Sequence, residues 1–367
     1  MLRRRVQEVG SPRCPGFGQR HSKRFPRIYG PLMTGENPQI SIIIPVYGGA
    51  WATRACLDSI HRHTDLKMAE LLLVDDASPD KETQDLLSEL DQDKRLKVFR
   101  QMHNGGFANA CNLGIRSSKA DLVLLLNNDT EVQEGWLEPL LQAFKDPGVG
   151  AAGSLLLYPG GKIIQHAGIE LVREGNELKP FHIGQFQRAA HTLWALEDRD
   201  VPAITGACLA FRRVALPGGA FLDEAYRNGY EDTDFGLRLG HAGWRIRYCG
   251  SSRVFHHESI ATGRFSSEDG NRRVFQERWK AMPGSLSGKD GHNALNAVRA
   301  RQSYLLKPDP AHASRVARAS GTDVSSEEIQ LWQELSRGRI LPWKRLTADQ
   351  RHEIHRLLEI ETLSIRR

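Results

Sequence analysis

No stretch of this chain approaches 18 consecutive apolar residues, so no transmembrane helix is expected. Arg3, Arg4 and Arg5 are not followed by an apolar run, so a secretory signal is not expected either. Cysteine is scarce: Cys14, Cys56, Cys111, Cys208 and Cys249 form no CxxC pair and no zinc-ligand spacing. An odd number of separated cysteines reads as reduced thiols in a cytoplasmic protein. The phosphate-loop pattern GxxxxGK[ST] is missing, as are internal repeats and low-complexity tracts. Gly148-Val149-Gly150-Ala151-Ala152-Gly153 matches GxGxxG, but it follows a helix and enters an apolar strand, the reverse of the dinucleotide-binding context. Asn128-Asp129-Thr130 matches a glycosylation sequon with no route to secretion behind it. What is left is 367 residues, 40% hydrophobic and 26% charged, ordinary for a globular chain with a large core. The length suits one large domain with extensions, or two domains.

The net charge is +6, and it is unevenly placed. Residues 1–30 hold eight Lys/Arg against the single acid Glu8, a local charge of +7, so the rest of the chain is close to −1. The basicity belongs to an N-terminal arm and not to a face of the fold, which argues against nucleic acid as a partner. Residues 1–38 read as a disordered basic tail, with attraction to anionic membrane as the alternative.

Order is expected from Ile40. The apolar runs Ile40–Val46, Glu70–Val74, Leu96–Arg100 and Asp121–Leu126 read as strands, separated by helical stretches at 51–63, 79–90 and 104–117. Ser78-Pro79-Asp80 resembles an N-cap followed by proline at the first helical position. A helix at 134–145 and a strand at 149–157 follow. Residues 158–200 are irregular and polar, suiting a surface loop or hairpin. Beyond them come a strand at Ile204–Phe211, a helix from Glu231 to before Gly243, strands at Trp244–Tyr248 and Arg253–His256, and helices near 268–282, 325–336 and 347–361. Strands alternating with helices at this spacing predict βαβ units and a largely parallel sheet. Ligands bind beyond the carboxyl ends of such strands.

Several residues at those ends can carry chemistry. Asp129, after the most apolar strand, can ligate magnesium or manganese, or only cap the helix at 134–145. Glu231-Asp232-Thr233-Asp234 opens a helix; its acids can compensate the helix dipole or supply a general base. His256-His257-Glu258 can bind a metal or lie at the surface behind one. Asn104-Gly105-Gly106-Phe107 opens a helix whose N–H groups favour anions, a pattern too short to be specific.

In this order the elements are more specific than any one alone. The chain resembles the inverting glycosyltransferase family 2, of GT-A fold. The matching segments are Ser41–Tyr47, Val74–Asp80, Asn104–Ala108 with Asn112, Leu126–Glu131, Thr205–Ala207, Glu231–Asp234 and His256–Ser259. The resemblance covers about 39–282. Through Ile164-Gln165-His166-Ala167-Gly168 and His256-His257-Glu258-Ser259 it is most similar to the bacterial O-antigen and rhamnosyltransferase-like group. It implies a Rossmann-like, mostly parallel sheet flanked by helices over 39–282, to which the helical periodicity of 283–367 adds a helical C-terminal extension.

The resemblance also implies roles. Asp76 would contact the nucleoside of a nucleotide-diphosphate sugar, with Pro45 and Tyr47 lining that pocket. Asn104, Gly106 and Asn128 fall on the donor side. Asp129 would bind Mg2+ or Mn2+, with His256 completing the metal shell. Asp232 would be the catalytic base, and Gly206 and Glu231 would lie toward the acceptor, a glycan or a lipid-linked glycan. Gly48 stands where the family usually has asparagine, a small change of turn. Asn127 and Asn128 leave one carboxylate where other members have two, which implies modest metal affinity. Two rival classes remain. A sugar-nucleotide pyrophosphorylase would carry an arginine-containing glycine-rich loop after the first strand, where this chain has Tyr47-Gly48-Gly49-Ala50-Trp51. A non-catalytic carbohydrate-binding protein would be expected to lose Asp129 or Asp232.

Overall fold

The computed structural model describes residues 38–93, 95–189, 192–215, 221–257 and 268–282, together with the backbone of 303–308, 341–342 and 363–366. The basic segment 1–37 lies outside the described residues, and so do the helices expected at 325–336 and 347–361.

The first half alternates as its periodicity predicts: β1 (Ile40–Val46), α1 (Ala50–His63), β2 (Ala69–Asp75), α2 (Lys81–Leu90), β3 (Leu96–Arg100), α3 (Phe107–Ser117), β4 (Leu122–Leu126), β5 (Thr130–Val132), α4 (Leu137–Ala143) and β6 (Val149–Leu157). Every residue of β1 and of β6 is buried, as strands covered on both faces must be. The hairpin expected within 158–200 is β8 (Ile169–Glu174) with β9 (Glu177–His182), preceded by the short β7 (Ile164–His166) and followed by β10 (Arg199–Asp200). Then come β11 (Cys208–Arg212), α5 (Glu231–His241), β12 (Arg245–His256) and α6 (Glu268–Trp279). Residues of the C-terminal extension appear as three short antiparallel strands, β13 (Ser303–Pro308), β14 (Leu341–Pro342) and β15 (Leu363–Arg366).

The main sheet has ten strands, in the order β10-β12-β6-β11-β4-β1-β2-β3, with β5 on β12 and β7 on β6. Pairs β1–β2, β2–β3, β1–β4 and β6–β12 are parallel. Strand β11 runs antiparallel between β4 and β6. The beginning of β11 therefore meets the carboxyl end of β4 and the middle of β6, and the site is built where β4 ends.

Three local expectations are corrected. The cap of α2 is Asp80, whose carboxylate accepts from the Thr83 N–H at 2.8 Å, and not Ser78. The Ser78 hydroxyl instead accepts from the Gly48 N–H at 2.9 Å, so a long-range partner decides which side chain caps. The strand expected from Ile204 begins only at Cys208, because residues 204–207 turn to meet α5. The two strands expected at 244–256 are one, with the register against β6 shifting between Cys249 and Arg253. Within that shift a Cβ on Gly250 would lie 2.5 Å from the Ala195 carbonyl oxygen, so the close crossing admits only glycine there.

Gly150 and Gly153, from the rejected GxGxxG match, lie inside β6 against Trp244 and Ile204, where a Cβ would clash at 2.7 and 2.0 Å. Cys56, Cys111, Cys208 and Cys249 are buried free thiols. Burial holds the Cys56 and Cys208 thiols up at about 12, so both stay protonated near neutrality.

Candidate functional site at the carboxyl edge of the sheet

Strand β1 ends in a turn of two left-handed glycines, Gly48 at φ 69° and Gly49 at φ 73°. Side chains rarely adopt that conformation, and asparagine does so more readily than most, so glycine suits the position where the resemblance implies asparagine. Pro45 is buried at the end of β1, and Tyr47 is half-buried beside the turn. Asn128 braces the turn: its Nδ2 donates to the Gly48 carbonyl at 3.1 Å and to the Thr53 hydroxyl at 2.9 Å.

Asp75 and Asp76 end β2 buried. The Asp75 carboxylate accepts from the Ser78 N–H at 2.9 Å. Asp76 accepts from two successive backbone N–H groups, Gly105 at 2.7 Å and Gly106 at 2.9 Å. The anion drawn to the N-terminus of α3 is thus the chain's own carboxylate, and Gly106 serves the site by seating Asp76. Burial pushes the Asp76 carboxyl up from its ordinary range, partly opposed by the two N–H groups. The next N–H, of Phe107, donates to Asn228 Oδ1 at 3.1 Å. Asn104 is exposed just outside this arrangement.

Asp129 does not cap α4, which begins eight residues later with Trp136 at its cap. It is buried, and its Oδ1 approaches His256 Nε2, at the end of β12, to 3.1 Å. The His256 ring is fixed from behind: Nδ1 pairs with Gln165 Oε1 at 2.7 Å. An amide oxygen only accepts, so Nδ1 carries a proton and Nε2 is the nitrogen presented to Asp129. Asn127 Nδ2 is 3.2 Å from the same Nε2, and Asn127 Oδ1 is buried with no hydrogen-bond partner among the described residues. Among the described residues no group of three His, Cys, Asp or Glu gathers that could hold a metal ion. One carboxylate oxygen, one imidazole nitrogen and an unsatisfied amide oxygen still suit a hard divalent cation that keeps other positions for water and phosphate. His257 is turned away, pairing with Glu131 at 2.8 Å; that bond holds the Glu131 carboxyl below its usual range.

The three acids opening α5 have separate surroundings. Asp232 Oδ2 accepts from the Gly206 N–H at 2.9 Å, and Oδ1 accepts from the Thr233 N–H at 2.6 Å. Glu231 is buried, and its Oε2 accepts from the Gly229 N–H at 2.5 Å. Asp234 is fully buried, bonded to Tyr226, Arg238, Arg278 and Trp279. It is an anchor between α5 and α6, beyond the dipole compensation expected of it. A Cβ on Gly206 would meet the Phe107 ring at 3.0 Å and Asp232 Cβ at 3.7 Å, so Gly206 is squeezed between the start of α3 and the start of α5. Ala207 in turn accepts from the Asn127 N–H at 3.0 Å.

Contacts therefore run unbroken from Asp76 through Gly106, Phe107 and Gly206 to Asp232, and from Ala207 back to the segment bearing Asp129. Sequence reasoning missed the turn Asn228-Gly229-Tyr230, all at positive φ (55°, 145° and 75°), which delivers Asn228 to α3. It also gave no role to Gln165. Three positive φ values in a row at a site edge are the one local signal, and a sequence hides it when two of the three are not glycine.

The mixed sheet flanked by helices has the GT-A-type architecture. The solved structure of GalNAc-T7 with UDP, GalNAc and Mn2+ shares the fold at a TM-score of 0.50 and 20% identity, over 61% of this chain and 44% of that one. Residues 41–217 match the model of Glycosyl transferase family 2. O-antigen biosynthesis protein RfbC of Myxococcus xanthus is 33% identical over 229 residues, 61% of this chain and 18% of that protein. N-acetylglucosaminyl-diphospho-decaprenol L-rhamnosyltransferase of Mycobacterium tuberculosis is 36% identical over 151 residues, 39% of this chain and 49% of that protein. The chain thus spans less than half the length of these curated relatives. No helix among the described residues is long and apolar enough to cross a membrane.

Proposed function

We propose that this protein transfers a sugar, with inversion, from a nucleoside-diphosphate donor to a hydroxyl of a glycan or lipid-linked acceptor, in the synthesis of a cell-surface polysaccharide. One observation carries the reading: Asp129 Oδ1 and His256 Nε2 meet at 3.1 Å on the edge where Asp232 is held by the Gly206 N–H. The names of relatives concerned with O-antigen biosynthesis and with L-rhamnosyl transfer support the acceptor class.

In this reading Asp76, fixed by Gly105 and Gly106, recognises the nucleoside beside Tyr47 and Pro45, while Asn128 keeps the Gly48–Gly49 turn in shape around it. Asp129 and His256 would hold a Mg2+ or Mn2+ ion, which when bound offsets negative charge on the leaving diphosphate. The acceptor oxygen forms its bond to the anomeric carbon as the bond to the diphosphate oxygen breaks. Its proton passes to the Asp232 carboxylate, and the nucleoside diphosphate leaves with the bonding electron pair. A single displacement inverts the anomeric centre and needs no covalent enzyme intermediate.

The test is a panel of nucleotide sugars, followed for release of nucleoside diphosphate with and without Mn2+. Release from at least one donor, dependent on the metal, is expected; no release and no thermal shift with any donor overturns the reading. Asp129→Ala should abolish metal-supported binding of the matching nucleoside diphosphate in calorimetric titration, because the carboxylate is the main anchor for a hard cation. Affinity equal to the parent's would displace the proposed cation from this position.

The basic segment 1–38 is proposed to assist contact with anionic membrane, where lipid-linked acceptors reside. Each basic residue near such a surface contributes about 1 kcal/mol at low salt. Co-sedimentation with phosphatidylglycerol vesicles should fall when 1–38 are deleted, and equal pelleting of both forms at low salt removes the idea.

A further inference from the structure

Behind the residues that would touch donor and acceptor lies a histidine pair. His166, at the end of β7, is completely enclosed. Its Nδ1 is 3.1 Å from Nδ1 of His182, at the end of β9, with the rings at 73° and their centroids 4.9 Å apart. On the other side of the ring, the Thr205 N–H is directed at Nε2, at a long 3.5 Å. Thr205 precedes Gly206, whose N–H holds Asp232 Oδ2. Neighbours on a strand point to opposite sides. Gln165 accordingly serves His256, and His166 serves the turn at 205–206.

We propose that His166 is a positioning residue for Asp232, acting through the Thr205–Gly206 turn. This rests on Asp232 being the base of the transfer reaction.

The hydrogen-bond chemistry fixes the state of the ring. A backbone N–H only donates, so Nε2 must be the bare nitrogen and the His166 proton must be on Nδ1. That proton is donated to His182 Nδ1, which places the His182 proton on its Nε2. His166 therefore works as a neutral imidazole. Burial depresses its basicity well below the ordinary histidine range, and the groups facing it act in the same direction: His182 on β9, Arg199 on β10 and His256 on β12. Arg199 donates to the adjoining Ala167 carbonyl at 2.5 Å, so its charge is fixed close by.

The turn has little freedom to compensate for losing this support. Gly206 is confined by the Phe107 ring on one side and Asp232 on the other, so a shift at Thr205 is passed to the N–H that orients the carboxylate. Misplacing a reacting group by about 1 Å can cost on the order of a hundredfold in rate.

Two polar replacements separate positioning from mere filling. Glutamine places its amide oxygen near the position of Nε2 and can still accept from Thr205. Asparagine reaches only the Nδ1 position, so it keeps the contact with His182 and loses Thr205. With a donor identified by the nucleotide-sugar panel, His166→Asn should lower kcat about ten- to a hundredfold. The donor KM and Mn2+-supported nucleoside diphosphate binding should be unchanged, and His166→Gln should recover most of the kcat. The double variant Asp232→Asn/His166→Asn should be no slower than Asp232→Asn, since no base remains to be positioned. A His166→Asn enzyme as fast as the parent, losses that multiply in the double variant, or no rescue by glutamine overturns the proposal. Should His166→Asn not fold, His182→Phe, at a half-buried position, removes the group that fixes the His166 tautomer. It should lower kcat in the same non-additive way, and an unchanged kcat there also overturns the proposal. A parent that turns over no donor, or an Asp232→Asn variant that remains fast, is a failure of the underlying reading; a slow Asp232→Asn beside a fast His166→Asn is a failure of this inference alone.

Discussion

Asp232→Asn should leave nucleotide binding near normal and reduce sugar transfer by at least about a hundredfold, within the 10²–10⁴ that lost general-base catalysis typically costs. No neighbouring acid is free to replace it. Glu231 is folded back onto the Gly229 N–H, and Asp234 is enclosed among two arginines, a tyrosine and a tryptophan. The Asp232 carboxylate accepts one backbone N–H on each oxygen, Gly206 on Oδ2 and Thr233 on Oδ1. Asparagine keeps the shape but has only one accepting oxygen, so its NH2 must oppose one of these donors. Leaving a donor unsatisfied costs about 1–3 kcal/mol where it is buried, so a modest fall in melting temperature should accompany the kinetic loss. Donor affinity is expected to hold, because Asp76 is held by the Gly105 and Gly106 N–H groups and makes no hydrogen bond to Asp232. Calorimetry of the nucleoside diphosphate with Mn2+ and a steady-state transfer assay on one preparation supply the comparison. Substantial transfer by Asp232→Asn would remove it from the role of base.

The strands were legible because burial on both faces leaves an uninterrupted apolar run, as in Ile40–Val46 and Leu122–Leu126. Asp76, Asp129, His256 and Asp232 were legible for a different reason: a charged or imidazole group directly after such a run, or at a helix start, falls on the ligand edge of a parallel sheet. Their partners were not legible. Nothing local indicates that the N–H groups of Gly105 and Gly106 are directed at Asp76, some 30 residues earlier. Nor does it indicate that Gln165 fixes His256, 91 residues away. The cap of α2 shows the limit in miniature. Ser78 and Asp80 are both good capping residues, and Gly48, brought alongside by the fold, takes the serine and leaves the aspartate. Short motifs thus indicate which groups reach the carboxyl edge of the sheet, while the groups that hold them follow from long-range packing, which has no period in the chain.

Asp234→Ala should show the opposite signature to Asp232→Asn: a large loss of stability with the turnover of the remaining folded protein retained. Asp234 is 0% exposed. Its Oδ1 accepts from Arg278 Nη1 at 2.7 Å, Trp279 Nε1 at 2.9 Å and the Tyr226 hydroxyl at 3.2 Å, and its Oδ2 accepts from Arg238 Nε at 2.8 Å. Truncation removes the shared carboxylate from two guanidinium groups at once. Breaking a buried pair by deleting one partner costs about 3–5 kcal/mol, because the remaining charge loses its compensation. Partial relief comes from partners that survive the change: Arg278 keeps Asp223 at 2.6 Å, and Arg238 keeps the Phe221 carbonyl at 2.7 Å. Helix α6 also keeps Gln276 on Leu178 and Asn271 on Arg227, so it should loosen from α5 without losing every attachment. For a chain of this size the loss corresponds to a fall in melting temperature on the order of 10 °C. Asp234→Asn, which keeps one oxygen for the donors, should fall less. Turnover measured well below the melt should stay close to the parent's, since Asp234 and Asp232 lie on different faces of α5 at about 100° per residue. A melting temperature matching the parent's would mean that Asp234 does not anchor α6 to α5. A catalytic loss in folded Asp234→Ala exceeding that of Asp232→Asn would exchange the roles of the two aspartates.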